Sequence, residues 1–340
     1  MTVNDPHQVH VIPAHPATDG DGVALNRVFP QTGFEMMDPF LLLDDLGPMD
    51  IPAGATTGFP AHPHRGFETI TYVFEGALAH KDSAGHEDVI APGDAQWMTA
   101  AGGIVHSEFP APDFVKTGGR FHAVQIWLNL PARDKMMPPR YQALKAESLP
   151  RMAIAGGAAT ATVLGGKLYD VVGPADRLTP VTIAIVEVEP NASLLLPIEE
   201  GWQCGLYLID GKATLDGIDH DWQPGEMLAL GVGFDFIPLT TGDEGARLLL
   251  MAGAPLNESV ARAVEKPAEP PMRKTASFSW NGWRRCAHSP DPIQYGSSGD
   301  INRQTPNSSP PRRARLGVIG KSVSKARGGL NWGCGGSTPR

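Results

Sequence analysis

Between Val23 and Val264 the chain repeatedly alternates short runs rich in Val, Ile, Leu and Tyr with clusters of Gly, Pro and Asp. Short apolar runs bounded by turn residues predict strands, and many of them at close spacing predict a sandwich or a barrel. The expected strands lie in ETITYVFEG, HEDVIAPGDAQWMTA, FHAVQIWLNLP, VTIAIVEVEP, QCGLYLIDGKATLDG, GEMLALG and ARLLLMAG. Helices are expected only around Pro139 to Ser148 and near Asn257 to Val264. A repeat runs through this pattern. TYVFEG, ending at Gly76, is followed by APGDAQWMTAAGG, and LYLIDG, ending at Gly211, is followed by QPGEMLALGVG. In each copy a strand closes on an acid-Gly turn, and a Pro-Gly-acid turn comes shortly after. Two similar β domains are therefore expected, over residues 1–140 and 141–264, joined near Pro139 to Gly165.

Composition sharpens this all-β reading. The 340 residues include 39 Gly and 32 Pro, which punctuate short strands rather than long helices. From about Lys266 the texture changes to a Pro-, Gly-, Ser- and Arg-rich stretch with no sustained period, so residues 265–340 are expected to be a disordered basic tail. A frameshifted reading frame would give the same texture as a true extension. From Pro271 onward twelve Lys or Arg stand against two acids, Asp291 and Asp300, although the whole chain carries a net charge of −9. The body before the tail is thus strongly acidic and repels polyanions, which argues against nucleic acid as its partner; only the tail could bind one. Cys204, Cys286 and Cys334 are scattered and odd in number, against both a disulfide framework and a zinc ribbon. The N-terminus lacks the basic start and apolar stretch of a signal peptide, and no run of eighteen apolar residues occurs. A soluble, cytoplasmic, monomeric protein is expected.

The candidate chemistry sits at the head of one strand. In FPAHPHRGFETITYVFEG, His62 and His64 lie two residues apart. Residues i and i+2 of a strand share a face, so the two imidazoles point together, and by the same parity Glu68 joins them. GGIVHSEFP repeats the device with His106 and Glu108. The two pairs can converge on one ion if their strands face each other inside a barrel. Three nitrogens and one oxygen form a borderline-soft donor set that suits Fe(II), with Mn, Ni, Cu or Zn able to substitute in vitro. Four protein donors leave two octahedral positions for water, O2 or substrate. Glu68 has three readings: ligand, acceptor orienting an imidazole, or partner of Arg65. Phe59, Met98 or Trp97, and Gln125 or Trp127 are the expected lining. The chain has no GxSxG elbow, no GxxxxGK[ST] loop and no GxGxxG after a strand, so neither nucleophile-elbow nor nucleotide chemistry is indicated.

Four segments carry a resemblance to a known family: HPHRGFETITYVFEG, PGDAQWMTAAGGIVHSE, the upstream MDPFLLLDDL and the later AGAPLNE. Over about Phe34 to Val260 the chain resembles the pirin family, a branch of the cupin superfamily. The resemblance implies a bicupin, two antiparallel jelly-roll barrels packed face to face, with iron in the N-terminal one. By position, the family's metal ligands fall on His62, His64, His106 and Glu108. The second copy departs from the pattern. Counted from the shared turns, Pro197, Glu199 and Pro238 stand where the first copy has His62, His64 and His106, so the second barrel is expected to be metal-free. His220 is alone there and is read as a surface or core residue. The resemblance further implies an O2-dependent dioxygenase acting on quercetin-like flavonols, with Glu108 or Glu68 taking the substrate proton. The alternative it implies is a non-enzymatic, redox-sensitive regulator or transcriptional co-regulator working through protein contacts. The chain departs from the family in its tail, where a short apolar stretch and a closing helix over the first barrel are usual.

Overall fold

The computed structural model of the chain describes residues 8–261. The basic tail expected over 265–340 lies outside the described residues, as does the last part of the helix expected near Asn257 to Val264. The first half of the chain contains β1 (Val9–Pro13), β2 (His15–Asp19), β3 (Val23–Phe29), β4 (Phe40–Ile51), β5 (Phe59–His64), β6 (Phe67–Glu75) and β7 (Leu78–Asp82). It continues with β8 (Glu87–Ile90), β9 (Ala95–Thr99), β10 (Ile104–Pro110), the six-residue helix α1 (Pro112–Thr117), β11 (Gly119–Asn129) and β12 (Arg140–Leu144). The second half begins with β13 (Arg151–Ile154), β14 (Ala159–Gly165), β15 (Lys167–Leu168), β16 (Val171–Val172) and β17 (Val181–Val188). It ends with β18 (Ser193–Pro197), β19 (Gln203–Leu215), β20 (Glu226–Leu230) and β21 (Phe236–Gly253).

All strand pairs are antiparallel, as expected of short strands joined by tight turns. The first barrel is built from two sheets, one ordered β12-β9-β6-β11-β4-β3-β2 and the other β5-β10-β7-β8. The second has an eight-stranded sheet ordered β1-β20-β19-β21-β17-β14-β13, with β18 paired to β21. The fold is an all-β bicupin. In each copy the repeat read from the sequence is a hydrogen-bonded strand pair: Tyr72 of β6 lies opposite Ala95 of β9, and Tyr207 of β19 opposite Met227 of β20.

Alternation along these strands sorts side chains between two destinations. Ile70, Trp97, Val124, Ile126 and Leu128 of the first barrel pack with Leu164, Val181, Ile183, Ile185, Leu249 and Met251 of the second in one buried cluster. The intervening residues of the second barrel, Ala184, Val186, Leu248 and Leu250, fill its own interior. Each fully buried aliphatic side chain contributes on the order of 1.5–3 kcal/mol, so the apolar layer between barrels is the main source of cohesion. Among the polar contacts that join the barrels is a buried clamp: Tyr207 donates its hydroxyl to Asp45 Oδ2 at 2.6 Å, while Nε2 of His122 lies 2.9 Å from Oδ1 of the same carboxylate.

Three expectations change. Residues Arg140–Leu144 form an edge strand on β9, with Tyr141 opposite Met98, and only a 3-10 turn follows at Ala146–Ser148. The open hydrogen-bonding edge of β9 outcompetes a short, weakly nucleated helix. β12 thus crosses the boundary placed at residue 140. Conversely, β1 leaves the first domain altogether and pairs with β20 of the second, Val9 opposite Leu230. Residues 257–261 are not helical, and Glu258 caps the backbone N–H of Ala132 at 2.8 Å instead.

Replacing Tyr207 by Phe leaves one oxygen of a buried carboxylate without its donor. Urea unfolding of Tyr207→Phe is expected to show a loss of about 1–3 kcal/mol.

Candidate metal centre

Part of the inner face of the first barrel is polar, while the face toward the second barrel is largely apolar. On β6 the inward residues are Thr69 and Thr71, on β9 Gln96 and Met98, and on β11 Gln125 and Trp127; Thr71 lies opposite both Gln96 and Gln125. Across from them stand β5 and β10, which are hydrogen-bonded neighbours in one sheet rather than strands facing each other. His62 is directly opposite His106, and His64 opposite Ile104. A bulge in β5 then shifts the register, so that Glu108 lies opposite Phe59 on one side and His80 of β7 on the other.

This pairing brings the three imidazoles together. Ring centroids are 4.5 Å apart for His62 and His106, 4.8 Å for His64 and His106, and 4.6 Å for His62 and His64. One nitrogen of each lies within 4.8 Å of the others. Glu108 belongs to an adjoining group with His106 and His80 at the same limit, so His106 is shared and the four residues are not all within that distance of one another. Gln96 Nε2 donates to Glu108 Oε1, and Gln125 Nε2 to Oε2 at 2.9 Å. Gln96 is held in turn by donating to Thr71 Oγ1 at 3.0 Å and accepting from the Tyr141 hydroxyl at 3.2 Å.

The protonation pattern follows from what each nitrogen can reach. Nδ1 of His62 lies 2.7 Å from the Pro60 carbonyl, which only accepts, so Nδ1 is the donor and Nε2 is the nitrogen left for a lone pair. That Nε2 is 3.0 Å from Nε2 of His64. Burial, reinforced by repulsion from the neighbouring imidazoles, pushes His64 down to about 3, and burial with the same repulsion from His62 and His80 pushes His106 down to about 3. Both are neutral at physiological pH. Nε2 of His106 is buried without a hydrogen-bond partner, and among the described residues Glu108 has no Lys or Arg ion-pair partner although it is only 1% exposed. Neutral imidazoles with clustered lone pairs, beside a buried carboxylate lacking a cation, are what a divalent metal would satisfy. His62 is partly buried on an edge strand, so the cluster opens toward the surface there.

Glu68 does not join this cluster. The strand carrying the histidines ends at His64, Gly66 turns at φ +83°, a conformation that favours glycine, and β6 begins afresh at Phe67. That break resets the parity, and Glu68 lies on the same face of β6 as Ile70, toward the second barrel. Its Oε1 accepts from Thr99 Oγ1 at 2.6 Å, and burial pushes its carboxyl up despite that bond. Trp97 is likewise outward, in the layer between barrels, whereas Met98 packs inside with Ala100, Ile104 and Tyr141. Of the expected lining, Gln125 holds Glu108, and Trp127 lies 5.1 Å from His64 and 4.6 Å from Phe67 between ring centroids. Phe59 is 6.5 Å from His62. His220 is 2.8 Å from Glu226 in the second barrel. His80, Gln96 and Tyr141 were not singled out from the sequence. The first could have been: His80 and Asp82 form another i, i+2 pair in AHKD.

Comparison with known proteins agrees with this architecture. The family described as Pirin matches residues 22–128, and the Pirin C-terminal cupin domain matches residues 183–263. A Pirin-like protein of Solanum lycopersicum is 36% identical over 250 residues, covering 73% of this chain and 82% of that protein. Pirin of Homo sapiens is 34% identical over 247 residues, with 72% and 81% covered. A crystal structure of quercetin 2,3-dioxygenase from Acinetobacter baumannii superposes with a TM-score of 0.70 at 31% identity, over 75% of this chain and 89% of that one.

Two measurements test the centre. By metal analysis, His62→Ala and His106→Ala are each expected to lose most bound divalent metal, and His220→Ala to keep it. In the metal-free protein, histidines held at about 3 bind fewer protons folded than unfolded, so stability falls as pH drops from about 6.5 toward 3. The slope is up to about 1.4 kcal/mol per pH unit for each such histidine. Urea midpoints of wild type and His64→Asn between pH 7 and pH 5 check this, with the variant expected to give the shallower dependence.

Proposed function

Because this chain belongs to the pirin family of two-barrel cupins, we propose that it is an Fe(II)-dependent dioxygenase of quercetin-like flavonols. The observation that supports this most directly is the cluster of His62, His64 and His106, the last two held neutral by burial, beside the carboxylate of Glu108, which has no cationic partner among the described residues. Three nitrogens and an oxygen suit Fe(II), and the likeness to a quercetin 2,3-dioxygenase structure supports the substrate class. When bound, the metal supplies Lewis acidity to the flavonol oxygens and access to O2 chemistry. The reaction class consumes one O2 and opens the flavonol ring, giving a depside and carbon monoxide.

The chain's own residues bind and orient. The partly buried His62 leaves the approach to the cluster open on the β5 side. Phe67 and Trp127 place two rings beside His64, a wall against which a planar substrate can stack. The Trp127 indole N–H is buried without a partner and is available to a substrate oxygen. Glu108 supplies the fourth donor and, through the oxygen held by Gln125, the acceptor for the substrate's hydroxyl proton. Glu68, on the outer face, takes no part.

The test is O2 consumption on adding quercetin to anaerobically purified, iron-loaded protein. Wild type is expected to consume O2 only with quercetin present, and Glu108→Gln to do so about 10²–10⁴-fold more slowly. Stoichiometric iron without quercetin-dependent uptake would overturn the dioxygenase reading in favour of a metal-dependent regulator acting through protein contacts.

A further inference from the structure

Behind His106, away from His62 and His64, lies a second cluster that the proposed reaction does not use. His80 and Asp82 of β7 are 2% and 7% exposed, and in the sheet they sit opposite Glu108 and His106. Nε2 of His80 is 3.3 Å from Asp82 Oδ2, and its Nδ1 is 3.4 Å from Nδ1 of His106. The Tyr141 ring stacks on His80 with centroids 4.6 Å apart and planes at 27°. Asp82 is itself fixed, accepting from the backbone N–H groups of Ala84 and His86 at 2.9 and 3.1 Å, and lying 2.8 Å from Nδ1 of His86.

We propose that Asp82 and His80 are positioning residues that lock His106 in the tautomer whose Nε2 carries the lone pair. A carboxylate accepts only, so His80 Nε2 donates to Asp82. With Nε2 donating, the lone pair of the His80 ring is on Nδ1, and the hydrogen that faces it is the one on His106 Nδ1. His106 Nε2 is consequently left bare, on the nitrogen that has no partner. The reverse arrangement, with His106 Nδ1 accepting, would put an N–H on His106 Nε2, a buried donor with nothing to accept it. The pair thus does for His106 what the Pro60 carbonyl does for His62. Hydrogen-bond partners behind a metal-binding imidazole typically govern affinity by about 10–100-fold. The role assigned to a metal rests on the functional reading above; the tautomer assignment does not.

Two measurements decide it. Long-range proton–nitrogen NMR of histidine-labelled, metal-free wild type is expected to show His106 protonated on Nδ1 and bare on Nε2; a proton on Nε2 overturns the proposal. Cobalt(II) affinity, by competition with a chelator, is expected to fall about 10–100-fold in His80→Leu, which cannot accept a hydrogen bond. In His80→Gln, whose amide can accept from His106 and donate to Asp82, most of the affinity is expected to return. A folded His80→Leu with wild-type affinity overturns the proposal. So does a second equivalent of cobalt that disappears in His80→Leu, because His80, His106 and Glu108 would then be a site of their own. If wild type binds no cobalt, or His80→Leu fails to fold, the NMR result on wild type still decides the tautomer, and only the metal reading falls with the first outcome.

Discussion

Three strands of the first barrel, β6, β9 and β11, are buried on both faces, and the rest of the structure follows from how they divide their side chains. One face is largely apolar and seals against the second barrel through Ile70, Trp97, Val124 and Ile126. The other presents Thr71, Gln96 and Gln125 to the interior. A barrel interior lined with amides and hydroxyls is costly unless each group finds a partner. Here the partners form a chain, from Tyr141 to Gln96 to Glu108, with Gln125 closing the other carboxylate oxygen. The second barrel therefore serves the first as a wall. By taking the apolar face of these strands, it leaves their other face free to be polar.

Burial also sets the chemistry of the histidines. An exposed imidazole would be partly protonated near neutral pH, and a protonated nitrogen offers no lone pair. His64 and His106 are buried beside one another and beside His62, so protonating any one of them would add a desolvated charge to a repulsive neighbourhood. Neutrality is thus imposed by the fold rather than by any single contact. Neutrality alone does not say which nitrogen is bare. That choice is made by the hydrogen-bond partner behind each ring, the Pro60 carbonyl for His62 and His80 for His106.

The features legible in the sequence were those that depend on local alternation. The strand runs, the paired turns of the repeat and the i, i+2 spacing of His62–His64 and His106–Glu108 all survive in the structure because parity within one strand needs no knowledge of what it pairs with. The same rule failed for Glu68, since a turn at Gly66 separates it from the histidines and resets which face it occupies. It also passed over His80 and Asp82, whose spacing matches but whose relation to His106 arises only from the pairing of β7 with β10. Gln96 and Tyr141 were illegible for that reason too, being brought to Glu108 by β9 and β12. The crossing of β1 into the second sheet is the extreme case, a pairing between positions more than two hundred residues apart that no local pattern encodes.

The geometry also explains why one residue, His106, occupies the centre of the arrangement. It lies opposite His62 on one neighbouring strand and opposite Asp82 on the other, and it is the member shared by both histidine-containing groups. β10 is an inner strand of its four-stranded sheet, hydrogen-bonded on both sides, whereas β5 is an edge. A side chain on the inner strand is held from both flanks, while the edge strand is hydrogen-bonded on one side alone. Dividing the three imidazoles between an inner and an edge strand thus buries His106 and His64 and leaves His62 as the member nearest the surface.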